Sequence, residues 1–121
     1  MSALLRSLRE EEKALVRRLV EAVPALSYLL GELDPAMVED MADGGMGSIR
    51  FLAKHGTTNR QAREVASASY KDIDGAEVSV ALNVDQHGDL FEVDMWKVDF
   101  SPLIQYPRAS ELSIGERHPD G

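Results

Sequence analysis

The chain has 121 residues, 44% of them hydrophobic and 28% charged, with 21 acids, 13 bases, three histidines and no cysteine. That length suits one domain with one core, and the missing cysteine excludes disulfides, thiolate metal sites and a cysteine nucleophile. A net charge of −8 argues against a nucleic-acid binder, whose affinity comes mostly from Lys and Arg on phosphates, and against an anionic membrane surface.

Residues 7–23 carry a helical period. Leu8, Leu15, Leu19 and Ala22, flanked by Val16, Val20 and Val23, form one apolar stripe. Ser7 and Glu10 have the spacing of a capping box, and Glu10, Glu11 and Glu12 precede Arg17 and Arg18 in the sense the helix dipole favours. Pro24 ends this helix or opens a second short one, Pro24 to Leu30, that stops at Gly31. The longest uncharged stretch, Ala22 to Gly31, is about half of the roughly 20 apolar residues a membrane-spanning helix needs. Charges from Arg6 to Lys13 interrupt any signal-like apolar run, so the cytoplasm is the expected compartment.

After Pro35 the period changes to two. Met37 to Met41 reads as a strand, Asp43-Gly44-Gly45 as a tight turn and Met46 to Leu52 as the returning strand. A polar loop, Lys54 to Gln61, leads to strands at Arg63 to Lys71, Ala76 to Val84 and Leu90 to Phe100. Their turns share one design: Asp72 or Asp85 first, to cap turn amides, and Gly75 or Gly88 fourth, to take a left-handed backbone. The expected fold is α+β, with one or two N-terminal helices packed on one face of a roughly five-stranded antiparallel meander. Residues 1–106 would form this domain. Residues 107–121 would be a C-terminal extension, partly disordered, with Pro, Gly and mixed charge.

The acidity is localised. Residues 32–43 contribute −5 and residues 72–94 contribute −7, against +4 from residues 44–71. Alternation places Val78, Val80, Leu82 and Val84 on one face of their strand and Glu77, Ser79, Ala81 and Asn83 on the other. In the next strand Phe91, Val93 and Met95 share the apolar face, with Leu90, Glu92, Asp94 and Trp96 opposite. A two-residue turn at Gln86-His87 would set Ala81 against Glu92 and Ser79 against Asp94. A three-residue loop with a glycine bulge would shift that register by one and set acids against valines, so burial cost favours the two-residue turn. The expected outcome is an open polar face bearing Glu77, Glu92, Asp94 and Trp96. Tyr70 joins it if its strand has the matching register, and Asp72 and Asp74 lie at its end.

Signals for catalysis are weak. Glu92 and Asp94 on an open face have no cleft to separate their pKa values, so no catalytic residue is assigned. Asp72-Ile73-Asp74-Gly75 lacks the glycine position and distal Glu of a calcium loop. His55, His87 and His118 fall in separate loops or tails, which suggests neither a metal site nor a bound cofactor. Asp43-Gly44-Gly45-Met46-Gly47-Ser48 runs from strand to strand with no following Lys, so it reads as a turn plus bulge before a phosphate loop.

Two strings, DGGMGSIRFL at 43–52 and DGAEVSVALNVDQHGDLFEVDMWKVDFSPL at 74–103, resemble a family of small stand-alone bacterial α+β domains of unknown function. The stretch WKVDFSPL, Trp96 to Leu103, is the most specific part. The resemblance covers roughly residues 8–107 and implies no catalytic residues. The expected function is a non-enzymatic, acidic protein-binding domain, monomeric or homodimeric. The instance expected is an immunity-type inhibitor that docks on a basic toxin such as a nuclease. The alternative is a small-molecule-binding protein or enzyme with a pocket near the 43–48 turn and Trp96.

Overall fold

The structure, a computed structural model, describes residues 4–54, 56 and 58–115; His55 and the His118 tail lie outside them. The helical period becomes α1 (Glu10–Glu21), whose buried side chains Leu15, Val16, Leu19 and Val20 recur at the spacing of one helix face. Its cap differs from the Ser7–Glu10 expectation. The N-cap residue is Arg9, and its backbone N–H donates to Glu12 Oε1 at 2.8 Å. Ser7 is unavailable because Arg6–Ser7 form a short strand, β1, paired with Val38 and Met37. Arg6 then donates to both oxygens of buried Glu12, at 2.7 and 2.9 Å, and to Asp40 Oδ1 at 2.7 Å. One guanidinium therefore ties the helix start to the sheet. A 3-10 helix, Pro24–Glu32, follows with its proline in the first turn and Leu26 and Leu29 buried.

Among the described residues the sheet has seven strands rather than five. They are β1, β2 (Met37–Asp40), β3 (Ile49–Phe51), β4 (Arg63–Lys71), β5 (Glu77–Val84), β6 (Leu90–Lys97) and β7 (Ser113–Ile114), in the spatial order β1-β2-β3-β6-β5-β4-β7 with every pair antiparallel. Only β4, β5 and β6 form a meander. The β2–β3 hairpin joins β6, so the chain from Phe51 to Arg63 must cross the end of β6 and β5. The largely covered side chain of Arg60 holds that crossing: Nη1 donates to Phe51 O at 2.7 Å, Nη2 to Leu90 O at 2.6 Å and Nε to Asp85 Oδ2 at 2.9 Å. The segment after Pro107, expected as a surface extension, returns to the sheet. Leu112 is buried, Ser113–Ile114 pair with β4, and Gly115 N–H donates to Ser67 O at 2.8 Å.

One face of the sheet is covered by α1 and the 3-10 helix. Val38, Ile49, Phe51, Val78, Val80, Leu82 and Val93 join Leu15, Leu19, Leu29 and Leu33 in a single core.

The β5–β6 register corrects the two-residue turn favoured from sequence, and with it the expected pairs Ala81–Glu92 and Ser79–Asp94. The loop is the three-residue form, with Asp85 N–H donating to Asp89 O and Gly88 at a φ of +81°. Val84 pairs with Leu90 but Asn83 pairs with Glu92, leaving Phe91 as an extra residue. This bulge restores the parity that the loop had shifted, so Asp94 lies opposite Ala81 and Trp96 opposite Ser79. The acids stay off the valines, and Leu90 rather than Phe91 enters the core. The Phe91 ring is instead covered by Arg60, 4.4 Å from its centroid, and Arg50, at 5.6 Å.

Arg60→Met should destabilise the fold by about 3 kcal/mol or more, because it strands a buried carboxylate and two carbonyls. Urea unfolding followed by circular dichroism measures this. A loss below about 1 kcal/mol, the size of an exposed ion pair, would contradict the pinning role.

Candidate functional site

The uncovered face of the sheet carries four cross-strand rows among the described residues. Glu39, Arg50, Glu92, Asn83 and Glu64 form the first, Asp94, Ala81 and Ser67 the second, Trp96, Ser79, Ser69 and Ser113 the third, and Glu77 and Lys71 the fourth. Glu77, Glu92, Asp94 and Trp96 therefore share one face, as the alternation predicts.

Their chemical states differ. Glu92 is nearly buried and bonded through Oε2 to Arg50 Nε at 2.9 Å and Nη2 at 2.7 Å. Asp94 receives one hydrogen bond, from Asn83 Nδ2 at 2.7 Å. Burial raises its carboxyl above the ordinary range, the Glu92 charge adds to the rise, and the Asn83 bond only partly offsets it. Glu77 is exposed.

Three residues expected on or beside this face are elsewhere. Tyr70 pairs with Val78 on the covered face, where it is buried and its hydroxyl has no hydrogen-bond partner among the described residues. Asp72 and Asp74 are committed to Lys97. This lysine follows Met95 on the apolar face of β6 and is fully buried, with Nζ 2.9 Å from Asp72 Oδ2, 2.8 Å from Asp74 Oδ2 and 3.3 Å from Pro102 O. Asp72 also accepts the backbone N–H groups of Ile104 and Ile73, both at 2.8 Å, and Gln105 at 3.2 Å. Burial alone would raise the Asp72 carboxyl. The Ile104 N–H, the Lys97 ammonium and the other two amides outweigh it and hold the carboxyl at about 2. In turn, Asp74 first and Asp72 second keep the Lys97 ammonium protonated above its ordinary range despite burial.

This network anchors the arch from Val98 to Gln105. The glycine-rich turn receives its other side. Asp43 takes the N–H groups of Met46 and Ser48 at 3.1 and 2.8 Å, and Leu103 N–H donates to Gly45 O at 3.0 Å. Ser48 Oγ accepts from Met95 N at 2.8 Å and donates to Met95 O at 3.2 Å, extending the β3–β6 contact. A Cβ on Gly45 would lie 3.2 Å from Pro102, and one on Gly47 3.1 Å from Leu103. The turn is thus filled by the arch, where a ligand reading would have it open. Gly44, Gly75 and Gly88 occupy left-handed turn positions with no such packing from the arch.

The arch exposes an aromatic pair. Trp96 is 55% and Phe100 67% accessible, with ring centroids 5.8 Å apart. Phe100 N–H donates to Lys97 O at 2.9 Å, and Phe100 holds a φ of +62°, a conformation bulky residues seldom take.

Sequence reasoning missed Lys97, Arg60 and Phe100. The signal for Lys97 was present: it continues the Val93–Met95 face by two, so a lysine there required a carboxylate partner.

Two cavities lie away from this face. One of about 250 Å³ is lined by Pro35, Met37, Phe51, Leu52 and Leu90 beneath the Glu32–Lys54 ion pair. The other, of about 420 Å³, lies between Glu11 and Arg108. Neither is lined by Trp96. Among the described residues no group of three or more His, Asp or Glu is arranged to hold a metal ion, and no helix is long and apolar enough to cross a membrane.

The fold and face define a small α+β domain whose antiparallel sheet is covered on one side and open on the other. The chain belongs to the family described as a domain of unknown function, DUF6984, whose model matches residues 5–107. No match is found among curated proteins or among solved structures. Both strings that carry the sequence resemblance lie within the matched residues, and in the fold they pack on each other.

Asp72 has a folded value of about 2 against an ordinary 3.8, so its contribution to stability is present above about pH 4 and lost as pH falls through about 2. Asp72→Asn should lower stability at pH 7 and flatten the acid limb of the stability profile. An unchanged acid limb would contradict the assignment. Gly47→Ala should cost about 2 kcal/mol or more in urea, from its φ of +94° together with the Leu103 contact. Gly44→Ala, with nothing within 4 Å of the added Cβ, should cost only backbone strain of about 1 kcal/mol. Equal losses would exclude the interlock between turn and arch.

Proposed function

We propose that this protein is a non-enzymatic binding domain that docks a basic partner on the open face of its sheet. Trp96 and Phe100 are the apolar anchors, and Asp94 and Glu77 are the carboxylates that meet the partner's cations. The observation that carries this reading is the exposed Trp96–Phe100 pair, held out by a left-handed Phe100 on an arch that a buried ion-pair network fixes. Rigid exposed aromatics bordered by polar groups supply contact area at low entropic cost, which is what an interface anchor requires. Asp94, with no bonded cation among the described residues, supplies attraction and orientation.

Within this reading the specific role is an immunity-type inhibitor, acting in the cytoplasm on a cationic toxin such as a nuclease. Its mechanism is occlusion. The face presents carboxylates where the toxin's basic groups expect phosphates, and the aromatic pair slows dissociation. Fewer carboxylates are free for a partner than the count of 21 acids suggests, because Asp72, Asp74, Asp85 and Glu92 are bonded to the chain's own cations.

Trp96 is the sole tryptophan, so its emission reports directly on this face. Titration with purified basic proteins, ribonucleases included, should shift that emission and bind more weakly as ionic strength rises from about 20 to 300 mM. The double reversal Glu77→Lys/Asp94→Lys should weaken binding by about tenfold or more. Phe100→Gly, which relieves the backbone strain while removing the ring, should weaken it by about tenfold or more with the fold intact. Affinity unchanged in both variants would overturn the proposal.

A further inference from the structure

We infer that Asp94 and Trp96 together receive one arginine side chain of the partner, its guanidinium lying on the Trp96 indole and bonded to the Asp94 carboxylate. This rests on the reading of the open face as a docking surface and narrows it to one residue type.

The chain itself shows the pattern twice beside the same strand. Arg60 bonds Asp85 Oδ2 at 2.9 Å with its guanidinium carbon 4.4 Å from the Phe91 centroid. Arg50 bonds Glu92 Oε2 at 2.7 Å with its guanidinium carbon 5.6 Å from that centroid. In each case one carboxylate and one aromatic ring share a guanidinium. Asp94 and Trp96 repeat the pairing of acid and ring, two residues apart on one face and so about 6–7 Å apart along the strand. Here no arginine among the described residues fills the place. Asp94 Oδ2 accepts from Asn83, and its Oδ1 has no hydrogen bond among the described residues.

The surroundings leave room. Opposite Asp94 and Trp96 are Ala81 and Ser79, and beyond them Ser67 and Ser69, so short side chains floor the adjoining surface. Phe100 flanks the indole. Arg50, whose charge acts on Asp94, is held by Glu92, and that pair is close to neutral as a unit; Lys71 lies opposite Glu77.

The chemistry selects guanidinium over ammonium for two reasons. A planar guanidinium stacks on an aromatic face while its N–H groups bond a carboxylate at the edge, whereas an ammonium must choose one or the other. Asp94 is also partly dehydrated, and the more weakly hydrated cation gives up less water to meet it. A single carboxylate with one amide neighbour does not make a metal site.

The test uses the intact protein and three blocked nine-residue Gly/Ser peptides that carry three arginines, three lysines or three citrullines, read by Trp96 emission at about 20 mM salt. The arginine peptide should bind about tenfold more tightly than the lysine peptide, and the citrulline peptide should not bind. Asp94→Asn, which keeps an acceptor for Asn83, should remove the preference for arginine. Glu77→Gln should weaken both charged peptides and leave the preference in place. Equal binding of the arginine and lysine peptides, or a preference that survives in Asp94→Asn, would overturn the arginine subsite and leave the docking reading standing. No response of Trp96 to either charged peptide would count against both.

Discussion

A fully buried lysine amine between two aspartates organises this molecule. Lys97 reaches the covered side of the sheet because β-strand alternation carries it there two residues after Met95. An ammonium in that position is tolerable only with carboxylates and carbonyls around it, and Asp72, Asp74 and Pro102 supply them. Those partners come from the β4–β5 turn and from the arch, so satisfying one charge brings two otherwise independent segments together. Asp72 extends the effect by taking the arch's own amides at Ile104 and Gln105. The arch in turn seats Pro102 on Gly45 and Leu103 on Gly47 of the 43–48 turn. The exposed Trp96 and Phe100 thus stand on a support that is buried and over-determined, although the rings themselves face solvent.

The same economy governs the rest of the charge. Each of the two long hairpins opens its turn with an aspartate that spends one oxygen on turn amides and the other on a cation from a distant segment: Lys97 for Asp72, Arg60 for Asp85. Arg6 does the equivalent work at the helix start with Glu12 and Asp40. Acids that look in sequence like a surface property are therefore largely internal joints. The open face keeps few unpaired carboxylates, and Asp94 is conspicuous among them because the desolvation that raises its pKa has no bonded cation to oppose it.

Much of the architecture was legible in the chain. The helix face of α1, strand β4 from Arg63 to Lys71 and the glycines of both three-residue hairpins follow from local periodicity and turn chemistry. The shared face of Glu77, Glu92, Asp94 and Trp96 was legible too, because two irregularities, the loop at Gly88 and the bulge at Phe91, cancel in parity. Tyr70 was misplaced because its neighbours Ala66, Ser67, Ala68 and Ser69 are small enough for either face, and only pairing with β5 decides. Strands β1 and β7 were missed since two residues carry no period.

What the sequence by itself determined is whatever depends on neighbours within a few positions: where the first helix and the longer strands lie, which side of β5 is apolar, and that the 43–48 and 72–75 segments must turn. What only the tertiary structure decided is whatever depends on which distant charges meet. The attachment of the β2–β3 hairpin to β6, the commitment of Asp72 and Asp74 to Lys97 and of Asp85 to Arg60, and the pairing of Asp94 with an amide, with no bonded cation among the described residues, all arise there. The reason is physical. Periodicity is a property of the backbone, repeated every few residues, whereas the cost of burying a charge is set by partners that any part of the chain can deliver.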